Sequence, residues 1–285
     1  MRISPFTPLC FEPYVSDGLP SRYVQLWSQT DHIMVQVLAV AEEGEPDAQI
    51  KDAVTGNTVD TIEWQSWEMN AEKVLYFCDL YGLSVGYYKF VIEGIESDVF
   101  RVTDDAALLG RTALIQYRFK DNMQRDDVVA VINGVPYFFD FRVPGGFKDS
   151  GWGFGVTNEQ FATQHADLVE LYARDYLTKT FCMGGPEGVP VWYGALLNRL
   201  LTCSYVYIDG ERYTRNESEV PSINTLVDGM DSFVFTQVLR RSSGHMEEAA
   251  DTGNRIMLRR IYTPQVNIDV RIVDNSNLLI IEQTR

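Results

Sequence analysis

The chain has 285 residues, 45% of them hydrophobic and 12% aromatic, which favours two domains and excludes general disorder. Its formal net charge of −16 argues against direct nucleic-acid binding, because neutralising phosphates takes clustered Lys and Arg. The basic pairs Arg240-Arg241 and Arg259-Arg260 are isolated. No apolar run approaches the roughly 18 residues of a membrane helix, so no membrane insertion is expected.

Residues 1–20 hold Pro5, Pro8 and Pro13, with Pro20 at the end, and read as an extended N-terminal arm. Such an arm packs on its own domain or reaches a neighbouring subunit. The opening Met1-Arg2-Ile3-Ser4-Pro5-Phe6 lacks the apolar stretch of a secretory signal. Short strands are predicted over 23–27, 33–40, 58–64, 74–80, 87–92 and 98–103, with a turn at Thr55-Gly56-Asn57. That spacing predicts a β-sandwich over 21–106, and its closing residues 86–102 resemble the last hairpin of an immunoglobulin-like or fibronectin-like module.

The alternation stops at Asp104-Asp105-Ala106-Ala107, a natural boundary, and restarts at Thr112. The second domain, 107–285, opens with a strand over 112–119 and a charged loop over 120–127. A hairpin follows, with 128–132 and 135–143 flanking Asn133-Gly134, a dipeptide suited to a type I′ turn. Pro144-Gly145-Gly146 is expected to end it. Residues 148–157, with Gly151, Gly153 and Gly155 between aromatics, read as a surface loop. In 160–173, Phe161, His165, Leu168 and Tyr172 have helical spacing, while 168–173 also suits a strand pairing with 176–183, and strand is the reading preferred for that half.

Residues 176–183 alternate as a strand and end on Gly184-Gly185. Pro190 sits where a first helical residue belongs, ahead of Leu196, Leu197, Leu200 and Leu201. Strands over 204–208 and 211–215 flank Asp209-Gly210. Later strands are predicted over 232–239, 254–261, 265–273 and 278–282, with 242–253 a loop or short helix.

No arrangement suggests catalysis, so no catalytic, cofactor or metal site is predicted. His32, His165 and His245 show no zinc spacing. Ser150 lacks the glycine of a nucleophile elbow. The pairs Asp104-Asp105, Asp126-Asp127 and Glu247-Glu248 read as solvated loop carboxylates. Cys10, Cys78, Cys182 and Cys203 have no CxxC spacing and read as reduced thiols of a protein made in a cytoplasm. Trp64 and Trp67, with Trp27, Tyr81, Tyr87 and Tyr88, supply either sandwich core or an aromatic platform for sugars.

The strand Tyr176-Leu177-Thr178-Lys179-Thr180-Phe181, the helix over 188–201, the hairpin over 205–213 and the strand over 233–239 follow one another in an order that resembles tail and baseplate proteins of tailed bacteriophages and prophages, especially distal-tail-type proteins. The phrase Phe139-Asp140-Phe141-Arg142-Val143-Pro144-Gly145-Gly146-Phe147 is similar to prophage-borne structural proteins of Bacteroidetes-like genomes. The resemblance covers about half the chain. It departs from the family's pattern in carrying a sandwich before the second domain and further residues after the closing strand. It implies a split-barrel-like β domain with one short helix and a non-enzymatic virion subunit made in the bacterial host cytoplasm. The subunits would form a homo-oligomeric ring, hexameric by the family's pattern, bound to other tail or baseplate proteins and sharing edge strands between neighbours. The candidate assembly residues are Asn198, Arg199, Asp209, Gly210, Gly145 and Gly146. The alternative expectation is a carbohydrate-binding protein using Trp64 and Trp67. The expected fold class is therefore mostly β, an N-terminal immunoglobulin-like sandwich followed by the split-barrel-like domain.

Overall fold

The computed structural model describes residues 1–11, 19, 21–162, 164, 167–217, 219–225, 229–242, 272–273 and 278–279. The fold is mostly β. The N-terminal strands are β1 (Arg2–Ile3), β2 (Gln25–Ser28), β3 (Ile33–Val40), β4 (Ala48–Asp52), β5 (Thr58–Thr61), β6 (Gln65–Glu68), β7 (Lys73–Leu80), β8 (Gly86–Ile92), β9 (Ile95–Glu96) and β10 (Phe100–Thr103). They form two sheets, ordered β1-β3-β7-β6 and β2-β10-β8-β4-β5, with β9 on β8. Trp27, Val35, Val37, Ile50, Phe90 and Phe100 fill the space between them.

β3 is apolar except for the buried Gln36, because both of its faces are covered. Ile33, Val35, Val37 and Ala39 point into the sandwich, whereas Met34 and Leu38 join a second core. β7 divides in the same way, with Cys78 and Leu80 on one side and Leu75 and Phe77 on the other. The β1-β3-β7-β6 sheet is thus a middle layer shared by the sandwich and the residues after 106.

The arm is stitched into both cores of its own chain. Arg2 and Ile3 pair with Leu38 and Val37, and Phe6 is fully buried beside Tyr117 and Phe119. Leu9 and Phe11 enter the sandwich core. Its backbone is tied down as well: Tyr117 Oη donates to the Phe6 carbonyl at 2.5 Å, Ser4 Oγ donates to the Asp127 carbonyl at 2.7 Å, and Arg199 Nη1 donates to the Pro5 carbonyl at 2.7 Å.

Asp104 and Asp105, where the alternation stops, lead into a one-turn helix, α1 (Ala106–Leu109), capped by Asp105 Oδ1 accepting from the Ala107 and Leu108 amides. Then come β11 (Thr112–Arg118), β12 (Val131–Ile132), β13 (Val135–Pro136), β14 (Phe139–Ala162), β15 (Leu168–Met183), α2 (Val191–Leu200), β16 (Tyr205–Ile208), β17 (Glu211–Arg215), β18 (Ser222–Thr225) and β19 (Phe233–Arg241). The sheet runs β15-β14-β11-β16-β17-β19-β18, and β15 also pairs with β19. Six of these strands therefore close into a barrel. The edges that a split sheet would leave are joined to each other within one chain.

Ile115, Tyr117, Phe141, Phe181, Ile208 and Phe235 belong to the core that this closure encloses. The buried side of α2 presents Tyr193, Leu196, Leu197 and Leu200, the i, i+3, i+4, i+7 spacing of an amphipathic helix. Burying each leucine contributes about 1.5–3 kcal/mol. Pro190 sits at the N-cap and offers no side-chain bond, so the Asp231 carboxylate accepts from the Val191 amide instead, at 3.1 Å and 3.3 Å.

Several sequence expectations need correcting. Pro144-Gly145-Gly146 does not end a strand, and residues 148–157 are not a loop; both lie inside the 24-residue β14. The Asn133-Gly134 turn forms with positive φ at both residues, but its ladder is limited to Val131↔Pro136 and Ile132↔Val135. Residues 168–173 are strand as expected, but they run on into 176–183 as the single strand β15 and pair with β14 instead of with 176–183. Ile272–Val273 (β20) pairs with Leu278–Leu279 (β21). The strand expected over 254–261, the rest of those over 265–282, and the expectations for 243–253, His165 and His245 lie outside the described residues.

Candidate functional site

The most exposed part of the barrel is one long hairpin. β14 pairs with β11 through Pro144, then changes neighbour and pairs with β15 from Gly145 onward. Gly145 makes this change possible. Its φ is +120°, and a Cβ there would run into the Cys182 carbonyl oxygen.

β15 keeps β19 as its other neighbour only as far as Thr178↔Arg240. Beyond that pair, residues 153–162 and 168–177 form a two-stranded ribbon with no further strand on either edge among the described residues. At the usual rise per residue it projects about 30 Å.

Directly opposed residues share a face of the ribbon. One face carries Trp152 with Lys179, Phe154 with Leu177, and Val156 with Asp175. Phe154 is 87% exposed and Val156 54%. The other face carries Gly153 and Gly155, which let Thr178 and the Tyr176 ring lie flat across β14, where a Cβ would strike them. Arg240 caps the Tyr176 ring at 3.8 Å and Lys179 caps Trp152 at 4.2 Å, so cations brace the base. Farther out, Phe161, Leu168, Val169, Leu171 and Tyr172 are all exposed.

The expected assembly residues do not form one patch. Gly145 and Gly146 sit at the ribbon's root. Asp209 and Gly210 form the positive-φ turn between β16 and β17, and Asp209 Oδ1 accepts from the Leu114 amide at 3.0 Å. Asn198 is exposed on α2 and accepts from Arg215 through both its carbonyl and Oδ1. Arg199 is half-buried and holds the arm through Pro5, so its bond is internal.

Trp64 and Trp67 do not share a face. Trp64 packs edge-on to Phe90 beside the sandwich core and donates from Nε1 to the Pro46 carbonyl at 2.7 Å. Trp67 lies opposite Leu75 and packs on the second core. Of the acidic pairs, Asp127 is buried rather than solvated and is clamped by Arg125 Nε at 2.6 Å, a partner that holds its carboxyl below the usual range. All four cysteines are free thiols, Cys78 buried and the others partly so. Burial pushes the Cys203 thiol up to about 12. Among the described residues, no group of His, Cys, Asp or Glu could hold a metal ion, and no helix is long and apolar enough to cross a membrane.

Sequence reasoning missed the ribbon. Its usable signal was the alternation of Trp152, Phe154 and Val156 across Gly153 and Gly155, a period of two hidden by the glycines. No protein-family model and no curated protein matches the chain.

Proposed function

We propose that this chain is a non-enzymatic structural subunit of a phage tail or baseplate, which assembles with copies of itself as a ring through its second domain and presents the sandwich to other tail proteins. The observation that carries the reading is the ribbon. A two-stranded hairpin is marginal in water alone, and open strand edges beside exposed aromatic and aliphatic side chains are costly unless a partner covers them. The barrel is closed, so among its described strands the ribbon offers the longest open edges for a neighbouring subunit. The succession β15, α2, β16–β17 and β19 supports the same reading, since it is the order on which the resemblance rests. Sugar binding on Trp64 and Trp67 would need a common platform, and those rings face different cores.

The test is negative-stain imaging of the full chain beside a variant in which residues 156–173 are replaced by a short turn. Closed rings from the full chain and dispersed particles from the variant are expected. Rings from both would overturn the role given to the ribbon, and dispersed particles from both would overturn assembly by the chain itself.

A further inference from the structure

Between the sandwich and the barrel lies a buried charged cluster that the assembly reading does not use. Asp31 and His32 come from the turn between β2 and β3, and Asp79 from β7, with Tyr81 just beyond it. Gln116 comes from β11, and Asp140 and Arg142 from β14. Arg142 grips Asp31 with two bonds, Nε to Oδ2 at 2.6 Å and Nη2 to Oδ1 at 2.8 Å, and donates from Nη1 to Thr112 Oγ1 at 2.9 Å. The Ser28 amide adds a third donor to Asp31 at 2.7 Å. Asp140 accepts from the His32 amide at 3.1 Å and from Gln116 Nε2 at 2.9 Å. His32 Nδ1 lies 2.7 Å from Asp79 Oδ2, and its ring stacks on Tyr81. Asp79 Oδ1 is buried with no hydrogen-bond partner among the described residues.

The side chains of Asp31 and Asp79 are 2% and 9% exposed, so water screens them little. Arg142 senses Asp31 and Asp140 at the joint, and Asp209, on the turn between β16 and β17, is the next carboxylate in its reach. The two carboxyl groups beside Arg142 differ in their partners: the guanidinium grips Asp31 with two bonds, whereas Asp140 accepts only from neutral donors, the His32 amide and Gln116 Nε2.

We propose that this cluster is a proton-operated latch between the sandwich and the barrel, which tightens under mild acid. Burial pushes the Asp140 carboxyl up to about 6, against the opposing pull of its two hydrogen bonds. Its folded value lies above its unfolded one, so its contribution is fully present below the unfolded carboxylate range and is lost as pH rises through about 6.

The experiment follows amide exchange across the β2–β3 turn and β14 of the full chain, corrected for intrinsic rates, between pH 5 and pH 8. Opening on the order of tenfold more frequent at pH 8 is expected for the unmodified protein, with most of that change absent in Asp140→Asn. An equal pH response in both proteins would overturn the latch. A carboxyl-carbon NMR titration of Asp140 in the unmodified protein guards against misfolding of the variant. A midpoint near 6 supports the proposal, and an ordinary carboxylate midpoint near 4 overturns it.

Discussion

Gly145 is the residue on which the barrel turns into the ribbon. With φ at +120° and the Cys182 carbonyl packed against it, any side chain there strains the backbone and pushes β15 away. Gly145→Ala should therefore destabilise the chain by about 2 kcal/mol or more, read as a fall in the urea midpoint. Phe6 plays a comparable part from the arm, since it is fully buried against Tyr117 and Phe119. Phe6→Ala should cost about 3–5 kcal/mol in the same measurement. Residue-scale features were legible where they are local. Asn133-Gly134 and Asp209-Gly210 announce their turns because both dipeptides tolerate positive φ. Arg142 and Asp31 announce nothing, because 111 residues separate them and only the fold brings them together.

At the scale of elements, the ribbon shows how a strand can carry the composition of a loop. Gly151, Gly153 and Gly155 are turn residues by composition, yet here they make room for Thr180, Thr178 and Tyr176 on the neighbouring strand. The cross-strand partners supply the bulk that the glycines lack, and a single strand cannot reveal its partner. α2 was legible because its leucines follow one helical face with Pro190 before them. The ribbon also gives a clean separation of folding from association. Phe154 is 87% exposed, so Phe154→Ser should leave thermal stability within about 0.5 kcal/mol of the unmodified chain. The same substitution should weaken association, read by sedimentation at matched concentrations.

Across the whole molecule, the mostly β class and the succession of sandwich and second β unit follow from alternation and turn spacing. Barrel closure does not, because the β15–β19 pairing that closes it depends on register between distant strands. The shared middle sheet was foreshadowed by residues 33–40, whose run without polar alternation requires cover on both faces. That shared sheet makes the sandwich and barrel interdependent, and the arm binds them further. Removing residues 1–11 withdraws Phe6 from one core and Leu9 and Phe11 from the other. Such a truncation should lower the unfolding temperature of both units together, seen as one cooperative calorimetric transition rather than two.

The decisive measurement is the solution mass of the full chain by light scattering over a concentration series, beside a Phe154→Ser, Leu168→Ser double variant. A defined multiple of 32.5 kDa for the full chain, with the variant at the single-chain mass, is the expected result. A full chain that stays at 32.5 kDa throughout, or a variant that keeps the same multiple, would contradict assembly through the ribbon.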